Sequence, residues 1–315
     1  MVRVCEAGWR AGGRPYCEGV IIPYTGVGLD RGTDRREDAG WVAGLVAGGR
    51  GRVWALWRDQ CVVAGDPAEP VSVPVGAVGA AERDRLVLLG VSDGVPEFAV
   101  DLSELALLDA LARVGADGVA DIRVLFSGLA AERAGMLAYA RGLLYWNRDQ
   151  RYCGRCGAAA EARHAGHLRV CSDTQCGALL FPRIAPAVIT LVETIGEPRR
   201  CLLARHAGSA VGGYSLLAGF VEIGESLEEA VAREILEEVG VAVRDVRYVG
   251  SQPFPFPAGL MVGFRATAAD LAVSVDGREI LEARWFSRDE LRARGQLGRV
   301  DAIDRVMLTA WLAEE

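Results

Sequence analysis

Two short cysteine pairs, Cys153-Gly-Arg-Cys156 and Cys171-Ser-Asp-Thr-Gln-Cys176, stand fourteen residues apart near the middle of the 315-residue chain. Short pairs on turns let four thiolates converge on one tetrahedral ion, the geometry that structural Zn²⁺ takes. A redox Cys-x-x-Cys is the competing reading, but it needs no second pair at this spacing. Four thiolates close the coordination shell, so one Zn²⁺ per chain on Cys153, Cys156, Cys171 and Cys176 would hold the fold and not act in catalysis. A knuckle here divides the chain into an N-terminal part, a ribbon and a C-terminal part.

The remaining cysteines, Cys5, Cys17, Cys61 and Cys201, are scattered. Disulfide frameworks belong to short secreted chains, so these four read as small buried hydrophobes. Composition is that of a globular protein, with 51% apolar and 24% charged residues. No apolar run is long enough to cross a bilayer, and the first ten residues carry charges and a Trp where a secretory signal needs an apolar core. The expectation is a cytoplasmic protein with no membrane partner. A net charge of −7 argues against a body that coats nucleic acid. All 35 basic residues are Arg, which excludes a lysine Schiff base and a Walker-type phosphate lysine. The stretch 148–183 is mildly basic, and His164 and His167 within it read as surface residues.

Residues 1–36 are rich in Gly and Arg without sustained periodicity and read as a flexible extension. Apolar runs at 53–57, 86–89 and 98–100, separated by Gly, Pro and Asp, predict a small sheet, and the spacing over 129–146 predicts a helix. The expected divisions are 1–36, an N-terminal α+β domain over 37–150, a ribbon over 151–183 and a catalytic domain over 184–315. Within the last, 187–192, 200–205, 215–221, 246–251 and 260–267 read as strands. Residues 226–239 read as a helix with Ser226 as N-cap and Gly240 as stop, and 301–312 as a second helix. Strands interrupted by one acidic helix and closed by another fit a mixed α/β sandwich.

The acidic helix carries the chemistry. Glu234, Glu237 and Glu238 are spaced three and four apart and share one face, where like charges repel unless a cation compensates them. Val231, Ile235 and Val239 recur four apart on an adjoining face that can bury against a sheet. Clustered carboxylates suit hard ions such as Mg²⁺ or Mn²⁺, which neutralise phosphate charge and acidify a water. A solvated acidic face is the bland alternative on the acids alone.

The flanking residues decide between them. Gly219, Glu225, Arg233, Glu234, Ile235, Glu237, Glu238, Gly240 and Val241 match every defined position of the Nudix box, and the stretch resembles that family's loop–helix–loop. The resemblance implies a Nudix α/β/α sandwich that hydrolyses a nucleoside diphosphate linked to a further group. It implies Glu234, Glu237 and Glu238 as metal ligands, and the carbonyl of Ala218 beside them. It also implies Glu238, with Glu237, as the residue that orients or deprotonates the attacking water, and Arg233 as a pin for Glu225.

After the box comes Ser251-Gln-Pro-Phe-Pro-Phe-Pro-Ala-Gly259, a stiff loop with aromatic faces. It resembles the S-Q-P-W-P-F-P-x-S signature of NADH pyrophosphatases, with Phe254 for Trp and Gly259 for Ser. Gly166 stands where that branch often has an acid. The resemblance, together with the ribbon, covers roughly 120–315. It implies that Phe181, supplied across a homodimer interface, and Phe220 sandwich a base, and that Glu279 is a further metal ligand. Gln252, Pro253, Phe254, Pro255, Phe256, Pro257, Ala258 and Gly259 would line a dinucleotide, with contacts from Ala302 and Arg123.

The function so implied is metal-dependent cleavage of NADH or NAD⁺ to nicotinamide mononucleotide and AMP, with NAD-capped RNA as a second substrate carrying the same bond. ADP-ribose or dinucleoside polyphosphates are the alternative within the family. A nucleotide-sensing regulator on an inactive Nudix domain is the rival from another class. The intact box carboxylates speak against it.

Overall fold

A computed structural model describes residues 22–209, 213–275, 277–295 and 297–314. The chain divides into two compact units: Gly26–Ile184 with Pro255–Ala258, and Ala185–Phe254 with Gly259–Glu315, the latter joined by the described residues up to Thr25.

The first unit runs α1 (Ala39–Ala47), β1 (Arg52–Trp57), β2 (Gln60–Ala64), β3 (Glu69–Pro70), β4 (Ser72–Pro74), α2 (Ala80–Arg83), β5 (Val87–Ser92) and β6 (Val95–Asp101). It continues through α3 (Leu107–Val114), β7 (Gly118–Ala120), α4 (Ile122–Leu125) and α5 (Ala131–Asp149). The sheet order is β3-β2-β1-β6-β5, with β4 also on β1 and β7 on β2. Val53, Ala55, Val62, Phe98 and Val100 project from it into a core shared with Ala110, Leu111 and Val114 of α3. The expected 129–146 helix is α5, which runs on to Asp149, where Arg148 is tied to Asp59 and Asp101. Neither α1 nor α3 was legible beforehand. α1 is apolar nearly all round and buries no residue fully, so it shows no stripe, and α3 is only eight residues long.

The ribbon completes this unit with β8 (Ala160–Arg163), β9 (Leu168–Cys171) and β10 (Leu179–Leu180), an antiparallel sheet in the order β10-β9-β8. The turn between β8 and β9 places Gly166 at φ 90°, where an added Cβ would sit 2.7 Å from a methyl of Val87. No acidic side chain fits there. His167 corrects the sequence expectation of a surface residue. Its ring is buried, Nε2 donates to the Leu88 carbonyl at 2.7 Å, and Nδ1 accepts from Arg36 at 3.1 Å. Burial drives its pKa down to about 4.

The second unit contains β11 (Ala185–Glu193), β12 (Arg200–His206), β13 (Leu217–Phe220), α6 (Leu227–Val239), β14 (Val243–Phe254), β15 (Gly259–Ala268), β16 (Ile280–Ser287), α7 (Arg288–Arg294) and α8 (Ile303–Ala313). Its sheet order is β14-β15-β11-β12-β16, with β13 on β11 and β11–β15 parallel. Successive strand residues point to opposite faces. Leu202 and Ala204 of β12 therefore join Val231, Ile235 and Val239 of α6, while Cys201 and Leu203 join Leu291 of α7 and Met307, Leu308 and Trp311 of α8. Helices on both faces explain why these strands read as continuous apolar runs. The result is the expected α/β/α sandwich. β16, where Glu282 and Arg284 interrupt the apolar run, and α7, where five of seven residues are charged, were missed.

Within the stretch 1–36, expected to be a flexible extension, the described residues from 22 onward include buried side chains. Residues 1–21 lie outside the described residues, but Ile22 and Tyr24 are buried in the second unit. The Tyr24 hydroxyl, 2% exposed, donates to Asp301 at 2.8 Å. Among the described residues no helix is long and apolar enough to cross a membrane.

Candidate active site

α6 is held rigidly at its N-terminus. Ser226 accepts from the Glu229 N–H, and the Glu229 carboxylate accepts from the Ser226 N–H, which completes a capping box. Gly240 ends the helix in the left-handed conformation at φ 69°. The apolar face lies on the sheet, so the carboxylates occupy fixed positions.

Arg233 organises the loop before the helix. Its guanidinium grips both oxygens of Glu225, at 2.5 and 3.0 Å, and donates to the Phe220 carbonyl at 2.9 Å. It also reaches Glu234 at 3.0 Å and Glu237 at 3.1 Å. The pairing holds the Glu225 carboxyl down at about 2 and pushes the Arg233 pKa up. Arg233 is thus the pin expected from the sequence.

The three glutamates are not equivalent. Glu237 is exposed and turned toward Arg233. Glu234 lies over Gly219, beside Ala218 on β13, and burial raises its pKa, with the carboxylates of Glu237 and Glu279 adding to the effect. Glu238 is buried at 6% exposure. Its carboxylate meets Glu279 and the His206 ring, with one ligand atom from each within 4.8 Å of the others. Two ligands with bonds of about 2.1 Å stand roughly 3 Å apart when cis and 4 Å when trans. Glu238, Glu279 and His206 therefore fit a divalent cation with slight adjustment. The sequence reading named both glutamates and missed His206, because no spacing rule links a lone histidine at the end of β12 to a helix beyond β13.

The four cysteines also converge. Sγ–Sγ separations are 3.9 Å for Cys153–Cys176 and 3.4 Å for Cys156–Cys171, and all four lie within 4.8 Å. A Zn–S bond of about 2.3 Å implies tetrahedral S–S edges of about 3.8 Å. The four thiols fit that shell, and the redox-pair reading loses its ground. Cys61 and Cys201 are buried, as expected, and burial pushes both thiols up to about 12. Cys5 and Cys17 lie outside the described residues.

The residues expected to contact substrate divide into three groups. Phe181 and Phe220 are 60% and 66% exposed, so neither ring belongs to a core. In the loop after β14, the Pro255 carbonyl accepts from Arg141, and the Phe256 ring lies under the guanidinium carbons of Arg123 and Arg141 at 5.0 and 4.7 Å. Arg123 is anchored by Asp121, and Pro255 packs where a Cβ on Gly142 would come within 3.0 Å. A Cβ on Gly259 would meet the Phe254 carbonyl at 3.0 Å, so Ser in its place would be tight.

Gln252 behaves differently from what was expected of it. It is 1% exposed, donates to the Asp301 carbonyl at 2.7 Å and accepts from the Ile303 N–H at 2.8 Å. Ala302, the N-cap of α8, has no side chain to accept that N–H, and Gln252 does so from β14. Both amide atoms are spent on the fold, and Gln252 sets the position of Ala302.

Comparison with known proteins agrees with this geometry. Residues 183–309 match the NUDIX domain, 148–181 the NADH pyrophosphatase zinc ribbon domain, and 50–146 the NADH pyrophosphatase-like rudimentary NUDIX domain. The chain is similar to the NAD-capped RNA hydrolase NudC of Mycobacterium bovis, 50% identical over 159 residues that cover 50% of each protein. It is also similar to Nudix hydrolase 19, chloroplastic, of Arabidopsis thaliana, 38% identical over 67% of this chain and 50% of that one. The chain thus spans about half the length of the curated relatives it matches. Among solved structures, a Nudix hydrolase from Nitrosomonas europaea aligns at 25% identity and a TM-score of 0.42, over 50% of this chain and 89% of that one. The chain carries a NUDIX domain over residues 183–309, preceded by a zinc ribbon and a rudimentary NUDIX domain of the NADH pyrophosphatase type.

Proposed function

We propose that the protein hydrolyses the phosphoric anhydride of NADH or NAD⁺ to nicotinamide mononucleotide and AMP. The observation that carries this reading is the meeting of Glu238 with Glu279 beside a box whose loop is locked by Arg233 and Glu225. A bound Mg²⁺ or Mn²⁺ would neutralise charge on the anhydride and lower the pKa of a water. Glu238 would orient and deprotonate that water, Glu237 would support it from the exposed side of the helix, and Glu234 and the Ala218 carbonyl would help to hold the cation.

The exposed rings of Phe181 and Phe220 offer stacking faces for a base, Phe181 from the second chain of a homodimer. The family resemblance assigns Phe254, Phe256 and the prolines to dinucleotide binding, and Arg123 and Ala302 to further contacts. Gln252 acts by holding Ala302. Removal of the NAD cap from RNA is a second activity. The similarity to a protein named NAD-capped RNA hydrolase supports it, as do the arginines of the ribbon. Four thiolates kept for zinc suit a reducing compartment, and we place the protein in the cytoplasm.

The test is product analysis of purified protein with NADH, ADP-ribose and NAD-capped RNA at matched concentrations. Nicotinamide mononucleotide and AMP from NADH are expected to accumulate faster than products from ADP-ribose. Preference for ADP-ribose would move the assignment to the alternative within the family, and no turnover of any substrate with Mg²⁺ or Mn²⁺ would favour the regulator.

A further inference from the structure

We infer that His206 is a nitrogen ligand of the cation held by Glu238 and Glu279, and that it biases this centre toward Mn²⁺ over Mg²⁺. The inference deepens the hydrolase reading and rests on it.

Three observations support it. First, a ring nitrogen of His206 lies within 4.8 Å of carboxylate oxygens on both Glu238 and Glu279. Second, the pairing of β12 with β16 slips between Arg205 and His206: Arg205 faces Glu282, whereas His206 faces Ile280. The extra residue, Leu281, lies on β16 two positions from Glu279, and bulges of this kind are favoured beside active sites. Third, the strand ends there, and the Ala207 N–H donates to the Glu279 carbonyl at 2.8 Å. The backbones that carry His206 and Glu279 are therefore joined one residue from the ring, which fixes the two side chains relative to each other.

The chemistry follows from donor type. Mg²⁺ favours an all-oxygen octahedron, whereas imidazole suits the transition ions. One nitrogen among carboxylates costs Mg²⁺ more than Mn²⁺. Nothing in the box pattern carries this bias, because His206 lies outside it.

The test uses the full chain with its ribbon zinc in place, other divalent ions removed, Mn²⁺ as the probe and histidine labelled with ¹⁵N. Pulsed electron paramagnetic resonance is expected to show one ¹⁵N coupling on bound Mn²⁺. The chain has three histidines, so His206→Gln assigns the coupling by removing it. Titration is expected to show that His206→Gln weakens Mn²⁺ by about tenfold or more, the scale of lost ligand support at metal sites, and Mg²⁺ much less. His206→Glu, which restores an oxygen donor, should bind Mg²⁺ at least as well as the parent. Bound Mn²⁺ without a ¹⁵N coupling, or a coupling that survives in His206→Gln, overturns the inference and leaves the hydrolase reading intact. Failure of the parent to bind Mn²⁺ or Mg²⁺ overturns both. The parent's coupling is measured without any substitution, so a variant that fails to fold does not blunt the test.

Discussion

The Glu234 carboxylate occupies the space that a side chain on Gly219 would fill: a Cβ there would lie 1.9 Å from the Glu234 Cδ. The first glycine of the box is thus a seat for the glutamate fifteen positions later. The clash falls on the far end of a flexible side chain, not on backbone, so Glu234 can move aside at little cost to folding. Gly219→Ala is expected to keep the parent's melting temperature within a few degrees and to lose about a hundredfold in kcat/KM, roughly 2.7 kcal/mol. A variant with full activity would show that the position of Glu234 does not matter to turnover.

Glu238 is the buried carboxylate of the proposed cation site. Glu238→Gln keeps its shape and removes its charge. Turnover is expected to fall by about a thousandfold or more, near 4 kcal/mol of barrier, with folding intact. A loss of only a few-fold at saturating Mg²⁺ or Mn²⁺ would assign the water to another residue.

Zinc should be a folding ligand. Elemental analysis of protein prepared without chelator is expected to find one Zn²⁺ per chain. Cys171→Ser should lower melting temperature and solubility, because metal-binding energy in a closed thiolate site is folding energy. A Cys171→Ser variant that melts with the parent would sink this.

Stacking by Phe181 and Phe220 separates the dinucleotide reading from a general Nudix one. Loss of either ring should reduce kcat/KM on NADH by about tenfold to a hundredfold, the scale of 1–3 kcal/mol for base–aromatic stacking. Since both rings are exposed, Phe181→Ala and Phe220→Ala should melt close to the parent. A small substrate lacking a second nucleoside should be much less affected. Equal losses on both substrates would remove the stacking role.

Asp304, on the first turn of α8, should make stability depend on pH. Burial raises its carboxyl from 3.8 to about 6, with Asp301 adding to the shift and the Arg305 N–H opposing it. The folded state therefore favours the protonated form. Its contribution is fully present below the unfolded pKa and is lost as pH rises to about 6, a cost of at most about 3 kcal/mol. Asp304→Asn should melt above the parent at pH 7.5 and lose that advantage below pH 4. Thermal unfolding across pH 3.5–8 checks this, and a variant less stable than the parent at pH 7.5 would show that the ionised carboxylate is needed.

What the sequence determined by itself was everything encoded at short range. The spacing of Glu234, Glu237 and Glu238, the cap at Ser226, the stop at Gly240 and the paired cysteines each depend on residues a few positions apart, where helix and turn geometry are set locally. The strands of the second unit other than β16 were legible, most of them because helices cover both faces and demand continuous apolar runs. The tertiary structure decided what depends on residues distant in the chain. Only sheet pairing brings His206 beside Glu238 and Glu279, and only the packing of β14 on α8 turns Gln252 inward to serve Ala302. The burial of Tyr24 against Asp301 and of His167 against Leu88 likewise depends on partners far along the chain, which periodicity does not encode. The three glutamates look alike on a helical wheel. Glu238 is buried, Glu234 rests on Gly219 and Glu237 faces outward to Arg233, because the sheet covers one flank of α6 and leaves the other open.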